Sequence, residues 1–383
     1  MFGKAQNLTG SANNSIDRRE HIEDFQSILE DLVGYAADKG GSDIHLRIGS
    51  YPVVRINGDL TPIKDFSVLS VADIEGILQC TLNQRDRKTL EENRQVDTSM
   101  GFASIGRVPI NAFYQRGSVA LAIRMIKTKI PTLDELGVPE VLYKILRLRN
   151  GLVLTTGATG SGKSTTLAAI IDDINQRYPK HIITIEDPVE FLFRDKQSII
   201  AQREIGIDAR SFKDGMAAAL REDPDVILLS DLRDMESMEF AMDAAETGHL
   251  VLGTLHSPTA PDAISRIVGS FPAAAQNTIR NKLSQNLKAV IGQRLLPNKE
   301  KNGRVLACEV MLVSSRIQEL ILDPMKVADI ADLMRKSKSV DGVMSFDYHI
   351  FELYQKKLIT EEVALRYSTS PNDMGLRIKG FSA

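Results

Sequence analysis

A glycine-rich segment near the middle of the chain constrains the fold more than any other feature. It fits the pattern G-x-x-x-x-G-K-[ST] at every fixed position. A run of apolar and β-branched residues at 152–156 comes before it, and a helix-like run at 166–171 follows. A strand, a glycine loop and a helix in this order direct several backbone N–H groups and the positive end of a helix at one anion. The segment consists of Gly157, Ala158, Thr159, Gly160, Ser161, Gly162, Lys163, Ser164 and Thr165.

This segment predicts a phosphate loop that binds a nucleoside triphosphate. Lys163 is expected to reach the β- and γ-phosphates, and the hydroxyl of Ser164 is expected to hold Mg²⁺. The alternative is a glycine-rich turn without chemical meaning. That alternative does not explain why a strand, a lysine, a hydroxyl and a helix follow one another in the required order.

Composition excludes several classes of protein. The 383 residues suffice for two or three domains, and the net charge of −3 argues against bulk nucleic-acid binding, which usually needs surplus Lys and Arg. Cys80 and Cys308 lie too far apart in sequence to suggest a disulfide scaffold or a four-cysteine zinc site. Residues 1–14 lack the apolar core of a signal peptide, and no apolar run approaches the roughly 20 residues of a membrane span. The sequence therefore predicts a cytoplasmic protein that meets a membrane only through partners.

Periodicity and composition divide the chain into five parts. Apolar runs that alternate with helical spans follow a segment without periodicity, and such alternation is typical of a mostly parallel sheet covered by helices. The predicted strands of that sheet are 151–156, 181–186, 225–230 and 250–254. From about residue 275 onward the chain is predicted to be largely helical. The predicted parts are a disordered tail at 1–20, an α+β domain at 21–126, a linker at 127–139, the alternating core at 140–300 and a helical C-terminal region with a tail at 301–383.

Acidic residues follow one of these strands directly. Glu186, Asp187 and Glu190 come after an apolar run, with a proline between them that forces a turn. Because ligands of α/β sheets bind outside the carboxyl ends of the strands, at least one of these acids should face the γ-phosphate. A carboxylate there can accept a proton from the attacking water or orient that water. The alternative is a solvated acidic loop.

Two further strand ends carry polar side chains. Asp231 follows an apolar run in the manner of a Walker B acid, which holds Mg²⁺ directly or through water. His249 and His256 flank the next strand. Their separation of seven is odd, so in a straight strand they would point to opposite faces and would not share a metal. Each is interpreted as a hydrogen-bonding sensor, with a purely structural histidine as the alternative.

Together these blocks resemble the secretion ATPase superfamily and, more narrowly, the type IV pilus retraction ATPases of the PilT/PilU group. The resemblance spans about residues 22–380. The sequence motifs that carry it are GATGSGKSTT at 157–166, TIEDPVEF at 184–191, QRE at 202–204, LREDPDVILL at 220–229, AAETGHLVLGTLHS at 244–257, FP at 271–272 and QRLLP at 293–297.

The resemblance implies an α/β fold with a PAS-like N-terminal α+β domain, a RecA-like P-loop ATPase domain and a helical C-terminal extension. It implies a homo-hexamer that hydrolyses ATP with Mg²⁺ and moves a pilus platform protein at the inner face of the inner membrane. It gives the following residues roles at the nucleotide: Glu190 as catalytic glutamate, Glu186 in the same acidic box, Asp231 as Walker B acid, the box from His249 to His256, and the arginines Arg107, Arg116, Arg124, Arg221 and Arg233. Among the arginines of the first domain, Arg124 matches best.

One departure bears on the activity. The family usually has glutamate where this chain has Asp231, and the missing methylene shortens the reach of the carboxylate by about 1.5 Å. The C-terminal segments at 345–347, 351–354, 359–360 and 376–379 resemble the PilU branch more closely. An independent retraction motor and a weakly hydrolysing auxiliary subunit of a PilT-like ATPase therefore both remain open.

Three other functions are weaker alternatives. Pilus-extension and type II secretion ATPases resemble each other in having a four-cysteine insert, which a chain with two cysteines cannot supply. A ring component that binds ATP without efficient turnover is motivated by Asp231. A nucleic-acid translocase is disfavoured by the slightly acidic composition.

Overall fold

The computed structural model describes residues 25–56, 58–102, 106–126, 129–336 and 342–381, with the side chains of residues 107 and 336 excepted. The chain forms two compact units whose boundary lies between residues 128 and 129. This boundary falls inside the predicted linker at 127–139. The predicted tail at 1–20 lies outside the described residues. No helix of the described part is long and apolar enough to cross a membrane.

The first unit is an antiparallel sheet with helices. The strands follow the order β3-β2-β1-β6-β5-β4, and neighbouring strands are antiparallel. Leu29 and Leu32 of the first helix are buried in the same core as Ile44 and Leu46 of β1. The elements are α1 (25–38), β1 (Gly41–Arg47), β2 (Val53–Ile56), β3 (Asp59–Pro62), α2 (Val71–Thr81), α3 (Gln84–Asn93), β4 (Gln95–Phe102), β5 (Gly106–Gln115) and β6 (Ser118–Arg124).

The second unit begins with a short helix and a 3₁₀ helix and then alternates strands with helices. Its elements are α4 (Leu133–Leu136), the 3₁₀ helix (Glu140–Arg147), β7 (Gly151–Thr156), α5 (Lys163–Arg177), β8 (His181–Glu186), β9 (Ile199–Glu204), α6 (Phe212–Ala219), β10 (Val226–Leu229), α7 (Met235–Glu246), β11 (Leu250–Leu255), α8 (Ala260–Gly269), α9 (Gln276–Asn286), β12 (Leu287–Pro297), β13 (Arg304–Leu312), α10 (Ser315–Leu322), α11 (Asp329–Lys336), β14 (Val343–Met344), α12 (Phe346–Gln355), α13 (Glu361–Tyr367) and α14 (Pro371–Ile378).

One eight-stranded sheet organises this unit, in the order β14-β13-β12-β7-β11-β10-β8-β9. The strands from β12 to β9 are parallel, and β13 and β14 are antiparallel to their neighbours. Every residue of β7, β10 and β11 is buried. Helices cover both faces, which is why these strands are continuous apolar runs without alternation. The four strands that the sequence predicts are all present.

The prediction of a largely helical chain after residue 275 is wrong in part. β12 and β13 are long strands of the main sheet, and β14 extends it. Both long strands are buried along most of their length, so they lack the period-two pattern of a half-exposed strand. A short apolar run without that pattern cannot be distinguished from a buried helix by periodicity.

β13 carries a carboxylate into the interior. Glu309 is buried beside Gly292 of β12, and its Oε1 accepts a hydrogen bond of 2.6 Å from the backbone N–H of Ala260. A Cβ on Gly292 would lie 3.1 Å from this oxygen, so the glycine leaves the carboxylate its room. Burial raises the pKa of Glu309 to about 7, although the hydrogen bond from Ala260 and the charge of Arg294 oppose this change.

Glu309→Gln is expected to change how stability depends on pH. A glutamate in the unfolded chain ionises near pH 4.5, whereas buried Glu309 in the folded protein keeps its proton until about pH 7. The free energy of unfolding therefore falls as the pH rises between these values. Because glutamine does not titrate, the variant should gain about 2 kcal/mol relative to the wild type between about pH 5 and about pH 8. Urea unfolding at both pH values measures this difference.

The exposed Glu319 of α10 supplies the matched control. It pairs with Arg316 on the surface of the helix. Glu319→Gln should therefore show little change relative to the wild type over the same pH range. Parallel pH curves for Glu309→Gln and the wild type would contradict the assignment of a buried, titrating Glu309.

Candidate functional site

The phosphate loop joins β7 to α5 at the edge where the parallel strands have their carboxyl ends. Gly157, Gly160 and Gly162 have φ angles of +148°, +78° and +94°. Residues other than glycine rarely adopt such backbone angles. A Cβ on Gly157 would also lie 2.6 Å from the backbone oxygen of Gln293. The glycines are therefore required by backbone conformation and, at residue 157, by the close approach of β12.

The N-terminus of α5 opens onto this loop. The helix begins at Lys163, and Gly162 is its N-cap, with no side-chain cap among the described residues. The first N–H groups of a helix have no intrahelical acceptor, and the helix dipole makes this end positive. The arrangement fits an anion such as a phosphate group.

Lys163 is buried at the base of the loop. Its Nζ donates hydrogen bonds of 2.9 Å to the carbonyl oxygen of Gly157 and 3.2 Å to that of Ala158. Burial lowers the pKa of Lys163, whereas the charges of Asp231 and Glu190 act in the opposite direction. Two acids from separate segments thus lie close enough to act on this amino group.

Glu190 is the acid of the predicted group that reaches the loop. Its Oε1 accepts a hydrogen bond of 2.9 Å from the hydroxyl of Ser164, and its side chain is exposed. Since the exposed carboxylate stands over the first turn of α5, it is placed to act on a ligand bound there. The structure therefore brings together two residues that the sequence assigned to catalysis and to Mg²⁺.

The segment that carries Glu190 is held by the edge strand β9. The side chain of Gln202 donates a 2.9 Å hydrogen bond to the carbonyl oxygen of Phe191 and accepts one of 2.9 Å from the N–H of Phe193. Glu204 Oε2 accepts a 3.1 Å hydrogen bond from the N–H of Val189. The sequence analysis missed these supports because β9 is a partly exposed strand without an apolar run. The QRE motif at 202–204, which contains Gln202 and Glu204, was the sequence feature that could have indicated these contacts.

Glu186 requires a correction, because the structure does not direct it at the phosphate loop. Its carboxylate is buried and accepts hydrogen bonds of 2.6 Å from the Thr184 hydroxyl and 3.1 Å from the Gln202 amide. Burial raises the pKa of Glu186, and these hydrogen bonds oppose the change. Glu186 shares Gln202 with the segment after it, so it supports the position of Glu190 rather than contacting a ligand.

Asp231, Arg233 and His256 form one cluster at the ends of β10 and β11. Asp231 Oδ2 accepts a 2.7 Å hydrogen bond from Arg233 Nε and lies 3.3 Å from His256 Nε2. Arg233 also lies 3.9 Å from Asp187 Oδ2. The other oxygen of Asp231, Oδ1, is buried and has no hydrogen-bond partner among the described residues. One oxygen is therefore held by the protein, whereas the hydrogen-bonding capacity of the other is unused among the described residues.

Further buried polar atoms at this edge lack partners within the described part of the chain. Buried polar groups are nearly always paired, so a cluster of exceptions indicates a place where a ligand or water completes the hydrogen bonding. The atoms are Thr155 Oγ1, Ser161 Oγ, Ser257 Oγ and Gln293 Oε1. They lie in β7, in the phosphate loop, in β12 and in the segment that follows β11.

The same edge fits Mg²⁺ only together with phosphates. In the described ranges no group of three or more His, Cys, Asp or Glu residues could hold a metal ion. Magnesium usually takes one or two protein oxygens and completes its shell with phosphate oxygens and water. The unpaired Oδ1 of Asp231 and the hydroxyl of Ser164 are oxygens of the required kind.

His249 lies elsewhere, and its assignment to the site within one chain is wrong. It precedes β11, and its Nδ1 lies 2.9 Å from the carbonyl oxygen of Ala244. A whole strand separates it from the edge that carries the phosphate loop. The odd separation of seven residues indicates only which face of the strand each histidine occupies. The length of the strand places His249 and His256 at opposite edges of the sheet. Arg221 lies between α6 and β10, and its role at the nucleotide stays a prediction.

The three arginines of the first unit stay predictions. Arg116 lies in the tight turn between β5 and β6 with a φ of +48°, and Arg124 ends β6. Arg124 Nε lies 3.5 Å from Asp43 Oδ1, and more than half of its side chain is exposed. The side chain of Arg107 lies outside the described part of the structure.

Two contacts that the sequence did not predict connect the loop to its neighbours. The hydroxyl of Thr156 donates a hydrogen bond of 2.6 Å to the carbonyl oxygen of Ser257 and accepts one of 2.9 Å from the N–H of the same residue. Gln293 Nε2 donates a 2.6 Å hydrogen bond to the hydroxyl of Thr166 in α5. The QRLLP text contained Gln293, but only the three-dimensional pairing of β12 with β7 shows its role.

Comparison with known proteins identifies relatives over most of the chain. The sequence profile of the family described as type II/IV secretion system protein matches residues 115–347. The type IV pilus ATPase PilU of Pseudomonas aeruginosa is 39% identical over 351 residues, which are 92% of this chain and 91% of that protein. The type IV pilus retractation ATPase PilT of the same organism is 38% identical over 345 residues, which are 90% and 99%.

A solved structure agrees with these relatives. The crystal structure of the pilus retraction motor PilT with bound ADP is 45% identical and has a TM-score of 0.82. The match covers 90% of this chain and 98% of that chain.

Lys163→Ala is expected to weaken nucleotide binding by about tenfold or more, because it removes the only buried amino group placed at this loop in the described structure. Titration with a fluorescent ATP analogue measures the affinity. Lys213→Ala is the control, since Lys213 is exposed and pairs with Glu236 on the surface. Equal affinities of both variants and the wild type would contradict the assignment of the loop.

Proposed function

Since this chain belongs to the family of type II and type IV secretion system proteins, we propose that it is an ATP-hydrolysing motor that drives or assists the retraction of type IV pili. The observation that carries this proposal is the arrangement of Lys163, Ser164, Glu190 and Asp231 around one phosphate loop. It occurs in a chain that resembles named pilus ATPases over nine-tenths of its length. The first unit is then the PAS-like domain, and the second is the RecA-like ATPase domain.

ATP binding is the first step of this proposal. The N–H groups of the loop and the first turn of α5, together with Lys163, bind the phosphates. Ser164 and Asp231 Oδ1 would hold Mg²⁺, which supplies positive charge to the β- and γ-phosphates. Arg233 and His256 hold the other oxygen of Asp231 and so fix the direction of Oδ1.

Glu190 is the proposed catalytic residue. Its carboxylate is exposed at the loop and can accept the proton of a water molecule that attacks the γ-phosphate. The hydrogen bond with Ser164 and the support from β9 give it a defined position. Glu186 acts beneath it as a positioning residue through Gln202.

The remaining assignments concern the assembly. We propose a homo-hexamer in which Arg124, with Arg107 and Arg116, brings positive charge to the nucleotide at a subunit boundary. Arg124 is a suitable candidate because it is largely exposed and its contact with Asp43 is a long one. The ring would lie in the cytoplasm against a pilus platform protein of the inner membrane and would not use nucleic acid as a partner.

Whether the ring works alone depends on Asp231. Asp231 lies against both Arg233 and His256, and its side chain is shorter than that of glutamate, so a bound ion or water must come closer to the end of β10. The shorter side chain favours a weakly hydrolysing auxiliary subunit, whereas the identities of 39% to PilU and 38% to PilT do not distinguish the two functions. Steady-state ATPase assays of the purified ring, alone and with a PilT-like ATPase, separate the two functions.

Glu190→Gln is expected to keep ATP binding and to lose turnover by a factor of about 10² to 10⁴, because the amide cannot accept the proton. Steady-state hydrolysis and nucleotide titration measure the two effects. Glu362→Gln, at an exposed position of α13, is the matched control. Hydrolysis by Glu190→Gln at the wild-type rate would refute its role.

Asp231→Glu is expected to raise the steady-state rate if the shorter side chain limits hydrolysis. Catalytic rates are sensitive to misplacement of about 1 Å, so an increase of about tenfold is within reach. The assay uses the same purified ring without a partner. A rate that stays at or below that of the wild type would remove Asp231 as the cause of slow turnover.

A further inference from the structure

The connection between β11 and α8 carries His256 and is held at three points. The hydroxyl of Thr156 bonds both backbone groups of Ser257. Arg266 of α8 donates a 2.6 Å hydrogen bond to the carbonyl oxygen of His256. The buried carboxylate of Glu309 accepts a hydrogen bond from the N–H of Ala260, the first residue of α8. Only this third contact depends on a titratable group in the interior.

Glu309 gives the start of α8 an unusual support. The side chain of Thr259 caps the helix by accepting the N–H of Asp262, while the N–H of Ala260 is one of the groups without an intrahelical acceptor. A carboxylate is favourable at this end of a helix, but its burial is costly and a neutral acceptor would serve for a cap alone. An acid at this point is therefore better explained by function than by stability.

The strand beside Glu309 reaches the phosphate loop. Glu309 is paired with Gly292 of β12, and the next residue, Gln293, bonds Thr166 of α5. The carbonyl oxygen of Gln293 lies against Gly157. Glu309 therefore stands between two elements of the site, the loop support in β12 and the segment that carries His256.

We propose that Glu309 is a positioning residue for ATP hydrolysis, which fixes the first residue of α8 and thereby holds His256 against Asp231. The statement about hydrolysis rests on the function proposed above. The statement about the position of the 256–260 segment rests only on the contacts of Glu309, Arg266 and Thr156 and can be tested without turnover.

Charged groups from each neighbouring element act on Glu309. Arg294 of β12 favours the ionised carboxylate, whereas Asp262 of α8 and Asp347 of α12 disfavour it. His349 of α12 accepts the N–H of Cys308, and burial lowers the pKa of His349 to about 4, so this histidine stays neutral near pH 7.

The strength of the support should therefore depend on pH in the neutral range. An ionised carboxylate accepts a stronger hydrogen bond than a protonated one. Burial raises the pKa of Glu309 to about 7, so the contact with Ala260 strengthens as the pH rises through this value. Turnover should rise with it, and a residue that only filled space would not produce this dependence.

The test compares Glu309→Leu, Glu309→Gln and the control Glu319→Gln with the wild-type ring. Steady-state hydrolysis is measured from about pH 6 to about pH 9, and affinity is measured with a fluorescent ADP analogue. Glu309→Leu should lower kcat by about tenfold and leave the affinity for ADP within about twofold. Glu309→Gln should recover most of kcat at about pH 8, since its amide oxygen can accept the N–H of Ala260, but should lose the pH-dependent step near neutrality.

Hydrogen exchange of peptides that cover residues 256–262 is the second measurement. Glu309→Leu should increase exchange there, whereas Glu319→Gln should not. If the wild-type ring hydrolyses no ATP but Glu309→Leu still increases exchange in this segment, the proposed function is refuted, while the dependence of the segment on Glu309 stands. Unchanged exchange, an unchanged kcat of Glu309→Leu, or superimposable pH profiles of Glu309→Gln and the wild type would each overturn the proposal.

Discussion

The parallel pairing of β12, β7, β11, β10, β8 and β9 is the constraint on which the site depends. Parallel strands have their carboxyl ends at one edge of the sheet, so loops that are far apart in sequence meet there. The phosphate loop follows β7, Glu190 follows β8, Asp231 follows β10 and His256 follows β11. The direction of the strands alone places the residues that follow each of them at this edge.

The same constraint explains what the sequence could predict. Strands buried on both faces are apolar runs, and the polar residue after each run marks an edge of the sheet, so β7, β8, β10 and β11 and the acids that follow them could be identified. The phosphate loop is a local pattern of backbone angles and chemistry and needs no tertiary information. Glycines at residues 157, 160 and 162 meet these requirements directly.

The errors arise where a local pattern is ambiguous or a contact is distant. β12 and β13 are buried strands whose apolar runs also suit helices, and β9 is an edge strand without a strong pattern. His249 lies in a matching motif but at the amino end of its strand, which only the direction of the strand reveals. Glu186 and Glu190 are separated by three residues, yet one is buried on Thr184 and Gln202 and the other is exposed beside Ser164. Sequence spacing cannot assign opposite environments to two like acids.

The position of β12 has a mechanical consequence. Within this strand, the backbone of Gln293 lies against the phosphate loop. The next residue, Arg294, stacks 4.0 Å above the ring of Phe346 in α12 and donates a hydrogen bond of 3.0 Å to the carbonyl oxygen of Tyr367 in α13. The C-terminal helices are therefore one residue away from the support of the loop. Packed interiors have low compressibility and transmit strain, so these contacts form a continuous packed connection along β12. β12 thus connects the place proposed for phosphate binding with the C-terminal helices.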